Sequence, residues 1–207
     1  MARALVVLLF AAPLFAQEIT GDQLWAALLQ GNKQYVAGTL RYEQLAEERA
    51  KLKNSELPPI AVLACSDSRV PPELVFNQTL GAMHVVRSAG NVADELGIAS
   101  LELSLNAGTK LLVVLAHENC SAVGHSLGTG EPATPAQQAL AKRIRSSFAG
   151  IGYEAANIRK AVEANARASA AQLLANSKAI RDAVAANGLK IMPAYYDLTT
   201  GAVTKID

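Results

Sequence analysis

The chain has two cysteines in 207 residues, a formal charge of only +1, and no internal repeat or low-complexity linker. A near-zero net charge without a basic run excludes the electrostatic footprint of a nucleic-acid-binding or anionic-membrane protein. The lack of repeats and linkers excludes a solenoid or a string of modules, so one domain is expected. Long apolar runs are also missing once the first sixteen residues, MARALVVLLFAAPLFA, are set aside. That segment has one basic residue, an apolar core and a small residue before Gln17, the pattern of a secretory signal, and it is too short to span a bilayer comfortably. A buried N-terminal helix is the alternative. Leu14 is larger than the usual residue three before a cleavage site, which leaves the cut after Ala16 open. Removing Met1–Ala16 takes away Arg3 and brings the charge from +1 to 0. The expectation is an exported protein, periplasmic or secreted, with no membrane attachment in its mature form. Residues 17–207 would then make a single domain of about 190 residues, enough for a sizeable core.

What is present is concentrated in two short stretches. Ile60–Ala64 is a short apolar run entered through Pro58 and Pro59, the signature of a buried strand, and it delivers Cys65 at its carboxyl end. In open α/β sheets ligands collect at that edge. Asp67 and Arg69 follow at alternate positions, so an extended chain would point Cys65, Asp67 and Arg69 the same way. About fifty residues on, KLLVVLA (Lys110–Ala116) is a second buried-strand pattern, and it ends in His117-Glu118-Asn119-Cys120. A histidine and a cysteine three apart on a turn leaving a strand can reach one ion. Cys65 would add a second thiolate to a soft tetrahedral site suited to zinc. Spacing leaves three states open for the cysteines: metal ligands, a disulfide, or inert buried thiols.

The rest of the chain alternates helix and strand. Helices are expected over Asp22–Val36, Tyr42–Lys53, a short Pro72–Phe76, Asp94 or Glu95 to about Ala107, Ser121–His125, Pro135–Phe148, Glu154–Ala175 and Ser177–Asn187. Ile98, Leu101, Leu103 and Leu105 give the fourth of these enough apolar surface for a buried crossover. The Arg and Lys residues of the last three are read as a solvated face. Met83–Arg87 and Leu189–Asp197 read as further strands, with Gly90 in a turn that needs positive φ. Ala202–Ile206 reads as a short terminal strand. Strand–helix–strand connections predict parallel pairing, and the terminal strand after the Thr200-Gly201 turn predicts an antiparallel edge.

CSDSRVPPELVF, then VVRSAGNV, then ASLELSLNAGTKLLVVLAHENCSAV, resembles the β-class carbonic anhydrases, whose pattern is CxDxR, an RxAGN loop and HxxC. The resemblance runs from about Asp22 to the C-terminus and implies an α/β fold with a parallel-centred sheet flanked by helices. It implies one Zn2+ per subunit held by Cys65, His117 and Cys120, with carbon dioxide and bicarbonate as substrate and product. It further implies a homodimer or dimer of dimers, to whose contact Trp25 and Tyr35 are candidates beside ordinary core packing. Zinc with one open position lowers the pKa of bound water from about 15.7 toward 7, giving a hydroxide that attacks carbon dioxide. Two thiolates should weaken that acidification and favour somewhat alkaline pH. By resemblance Asp67, held by Arg69, orients the nucleophile, or else becomes the fourth ligand in a closed state. Arg87 is either support near the metal or a surface residue, and Ser121, Gly90 and Glu56 fall on the substrate-binding side. Ala116 and Ser121 stand where the family has glycine, Glu56 where it has glutamine, and His84 where it has an apolar residue. His84 and His125 are proton-relay candidates weighed against ordinary polar roles. The alternatives are a zinc hydrolase of carbonyl sulfide or carbon disulfide, and a non-catalytic zinc-bound structural or bicarbonate-sensing protein.

Overall fold

The structure is a computed structural model describing residues 18–40, 44–128, 134–147, 151, 155–186 and 188–207. The expected leader, Met1–Ala16, lies outside these residues, as do Tyr42, Phe148, Glu154 and Asn187. The described residues contain a five-stranded sheet in the order β2-β1-β3-β4-β5. Its strands are β1 (Ile60–Cys65), β2 (Met83–Ser88), β3 (Leu111–His117), β4 (Lys190–Tyr196) and β5 (Val203–Lys205). The first four pair in parallel and β5 closes the edge antiparallel to β4. The expected fold class is therefore the observed one.

Every residue of β1 and β3 is buried, because helices cover both faces of the sheet. One face carries α1 (Gly21–Val36) and α3 (Pro72–Val75) over Ile60, Val62, Ala64, Leu111, Val113 and Leu115. The other carries α4 (Glu95–Asn106), α5 (Ser121–Leu127), α6 (Pro135–Arg145), α7 (Ile158–Asn176) and α8 (Lys178–Ala186) over Ala61, Leu63, Cys65, Leu112, Val114 and Ala116. The period-two alternation of side chains thus splits each central strand between two cores.

Thr20 caps α1 through a capping box with Gln23. Gly31 lets this helix approach α3 closely, since a Cβ there would stand 2.0 Å from the Phe76 carbonyl oxygen. Trp25 packs edge-on against Phe76, with ring centroids 6.4 Å apart, and is buried in this chain's own core. The Tyr35 hydroxyl lies 2.9 Å from that of Tyr196.

Several expectations are corrected. The charged segment after Gln44 is helical only as α2 (Leu45–Leu52). Leu103 does not join the crossover core: it is 67% exposed, because α4 turns Ile98 and Leu101 inward. Arg145 is no solvated cation, since its Nε donates to Ser126 O and its Nη2 to Gly128 O, tying α6 to α5. Helix boundaries otherwise shift by a few residues, as frayed ends do.

The connections out of β1 and β3 lead to opposite faces, β1 into α3 and β3 into α5. The strand order reverses there, so a crevice opens between the carboxyl ends of these neighbours, where open parallel sheets bind ligands. Cys65 is the last residue of β1 and His117 the last of β3.

Candidate metal centre

The cysteines and His117 converge in that crevice. The two Sγ atoms and a His117 ring nitrogen all lie within 4.8 Å of one another, and all three residues are buried. The sulfurs are 3.8 Å apart and the cysteines are free, so the structure holds no bridge of the roughly 2.05 Å that a disulfide requires. Asn119 brings Cys120 back toward His117 by taking φ +50, a left-handed conformation that asparagine tolerates.

The imidazole is oriented before any ion arrives. Nδ1 of His117 lies 2.9 Å from Glu118 O, and because a carbonyl only accepts, Nδ1 carries the proton. Nε2 is then a bare lone pair, buried and without a hydrogen-bond partner in the structure. Such an orphaned acceptor facing two sulfurs is what a tetrahedral thiolate–imidazole metal site requires of its protein, so the residues present fit a zinc ion. The thiol pair is polarised as well. A hydrogen bond from Cys120 pulls the Cys65 pKa down, and the Gly90 amide adds to this against burial. The same bond, with burial, pushes Cys120 up.

Asp67 and Arg69 stand at the rim. The chain is not extended after Cys65, as the alternation had suggested. It turns, with Val70 N–H donating to Asp67 O and Arg69 N–H to Asp67 Oδ1 at 2.9 Å. That turn folds the guanidinium back onto the carboxylate, with Nε on Oδ1 at 2.9 Å and Nη2 on Oδ2 at 2.7 Å. Arg69 thereby holds the Asp67 carboxyl well below the usual carboxylate range. Oδ2 stands 3.8 Å from His117 Nε2, aimed at the same space as the three candidate ligands.

Arg87 is not a free surface residue. Its Nε donates to Cys65 O at 3.0 Å and its Nη2 to Asp67 O, bracing the loop from β2. Gly90, at φ +67, points its N–H at Cys65 Sγ from 3.3 Å, and a Cβ there would meet Ile144 Cδ1 at 2.9 Å. Ser121 opens α5 directly after Cys120 and is exposed. Ala116 is fully buried on the face that carries Cys65.

Glu56 is not brought to this chain's cluster. It precedes β1, at the opposite end of the strand from Cys65, and pairs with His84 at 3.5 Å, near the start of β2. His125 is spent locally on Ser121 O at 2.7 Å. Sequence reasoning missed Asn165, a buried amide on α7 whose Nδ2 donates to Gly90 O. Its only signal is a carboxamide at a position where the helix pattern calls for an apolar residue.

Fold and site define a class: a doubly covered parallel α/β protein with a Cys-His-Cys group that could hold a metal at its switch point. A family profile described as carbonic anhydrase matches residues 60–203. A carbonic anhydrase of Mycolicibacterium smegmatis is 35% identical over 193 residues, covering 86% of this chain and 90% of the relative. Carbonic anhydrase 2 of Mycobacterium tuberculosis is 31% identical over 183 residues, covering 86% and 88%. Among solved structures, a tetrameric β-carbonic anhydrase of Sordaria macrospora superposes with a TM-score of 0.70 at 22% identity, covering 89% of this chain and 97% of that one. The Coccomyxa β-carbonic anhydrase, solved with acetazolamide, gives 0.68 at 24% identity, covering 86% and 84%. The chain belongs to the β-class carbonic anhydrase family.

Proposed function

We propose that this protein is a zinc-dependent carbonate dehydratase that interconverts carbon dioxide and water with bicarbonate and a proton, with Cys65, His117 and Cys120 holding the ion. The observation that carries the reading is the buried, proton-free Nε2 of His117 facing two sulfurs. When bound there, zinc supplies a Lewis acid that makes water nucleophilic near neutral pH. Asp67 contributes an ionised carboxylate that accepts and cannot donate, so a hydroxyl group in the crevice must turn its proton toward Oδ2 and leave a lone pair free for the substrate carbon. Arg69 keeps the carboxylate engaged through both oxygens, which supports the open arrangement over one in which Asp67 itself fills the fourth position. Arg87 and the Gly90 amide fix the loop and the sulfur that the ion would rest on. Ser121, beside Cys120, is proposed to border the substrate.

The outer strand β2 has one edge without a partner among the described residues, and α4 beside it exposes Leu96 at 81% and Leu103 at 67%. This surface supports a homodimer or a dimer of dimers built along that edge. Residues 1–16 are proposed to direct export to the periplasm or beyond, which N-terminal sequencing of the mature protein tests. The test of function is stopped-flow carbon dioxide hydration by the zinc-loaded protein, with and without a chelator. Expected is hydration far above the uncatalysed rate, lost on chelation and restored by zinc. A fully loaded protein that hydrates no carbon dioxide overturns the reading, and turnover of carbonyl sulfide or carbon disulfide in its place would reassign the substrate.

A further inference from the structure

Helix α7 lays Ala161, Val162, Ala166, Ala170 and Leu173 into the core that covers β3 and β4. Asn165 sits within this apolar stripe and is 3% exposed. An amide in that setting costs on the order of 1–3 kcal/mol unless its hydrogen bonds are made, so the partner of this one matters. Nδ2 donates to Gly90 O at 2.6 Å, across 75 residues of sequence. On the other side of the Gly90 Cα, the Gly90 N–H donates to Cys65 Sγ at 3.3 Å.

Gly90 and Asn91 take consecutive positive φ values, +67 and +45, in a turn closed at its base by Ser88 Oγ donating to Val92 O. Glycine has little intrinsic preference for one backbone basin, so the direction of its N–H has to be imposed from outside the turn. Asn165 grips the carbonyl that follows the Cα while the sulfur receives the amide that precedes it. The two contacts together pin both torsions.

We propose that Asn165 is a positioning residue for the Cys65 sulfur, acting through Gly90. It keeps the N–H on the thiolate, so that this ligand passes less of its negative charge to the bound ion. The inference rests on the reading of Cys65 as a metal ligand. Two thiolates tend to quench a divalent cation, and a hydrogen bond to one of them withdraws part of that charge. Outer contacts of this kind change metal affinity or activity by about 10–100-fold.

The test loads wild type, Asn165→Leu and Ser169→Ala with cobalt(II). It reads the thiolate-to-metal charge-transfer band, then zinc affinity by competition with a chromophoric chelator. A wild-type protein that binds cobalt without a thiolate band sinks the ligand assignment itself, separately from the role of Asn165. With the band present, Asn165→Leu, close in shape but without a donor, is expected to move it to lower energy and to change zinc affinity about tenfold. Ser169→Ala removes another buried polar group from the same helix and is expected to leave the band in place. Wild-type band and affinity in Asn165→Leu overturn the proposal. Should that variant not fold, hydrogen exchange at the Gly90 amide of zinc-loaded wild type decides: protection is required, and free exchange overturns the proposal equally.

Discussion

Asp67 meets one arginine through both of its oxygens, and the consequences for stability and for turnover differ sharply in size. Its pKa is depressed by the Arg69 contacts. The pair's contribution to stability is therefore fully present above the ordinary aspartate pKa of about 4 and is lost as pH falls through the lower folded value. Because the Arg69 side chain is 52% exposed, solvent screening keeps that contribution small. Arg69→Ala should accordingly lower the thermal midpoint by only a few degrees near neutral pH, with the difference from wild type vanishing toward strong acid. The same variant, and Asp67→Asn, should retain one zinc by metal analysis yet lose about a hundredfold or more in hydration rate, as expected for a lost proton-orienting group. Retained turnover in either would remove these residues from the mechanism.

Gly31 shows how strongly one element depends on the absence of a side chain. Gly31→Ala would drive a methyl into the Phe76 carbonyl oxygen, which is backbone and cannot rotate away. The helix must shift, and a loss of about 1–3 kcal/mol is expected in urea unfolding. Thr20→Ala, which removes the capping box of the same helix, should cost about 1 kcal/mol. At this scale the sequence was highly informative about strands. Ile60–Ala64 and Lys110–Ala116 are apolar at every inner position because both faces are covered, and such runs bounded by proline and polar residues are hard to mistake. The proposed ligand triad was legible for the same reason, since Cys65 and His117 end their strands and Cys120 follows three residues after His117. The tight Asx-like turn at Asp67 was not, because side-chain to backbone bonds two residues apart leave no periodic trace. Asn165 and Arg87 were missed or left open because each acts across the fold, and sequence pattern reports only local neighbours. Leu103 went wrong because α4 is apolar on more than one side, so composition alone could not say which side turns inward.

For the molecule as a whole, the apolar surface along α4 and the open side of β2 matter most. Leu103→Glu should leave the far-ultraviolet circular dichroism of the subunit intact and shift the sedimentation profile toward monomer; an unchanged profile would place the subunit contact elsewhere. Removing the metal should act globally too. With the ion chelated, His117 Nε2 and the sulfurs lose their partner in a buried site, so the thermal midpoint should drop, and both thiols should become reactive toward a disulfide reagent only after chelation. Two of the three proposed ligands are also the terminal residues of β1 and β3, the strands enclosed on both sides. Fluctuations that fray the outer helices leave such strands paired, and their amides are the last to exchange with solvent. The proposed grip on an ion is therefore set in the slowest-opening part of the chain, and spontaneous escape of a cation held there would be tied to the rare event in which the central sheet itself comes apart.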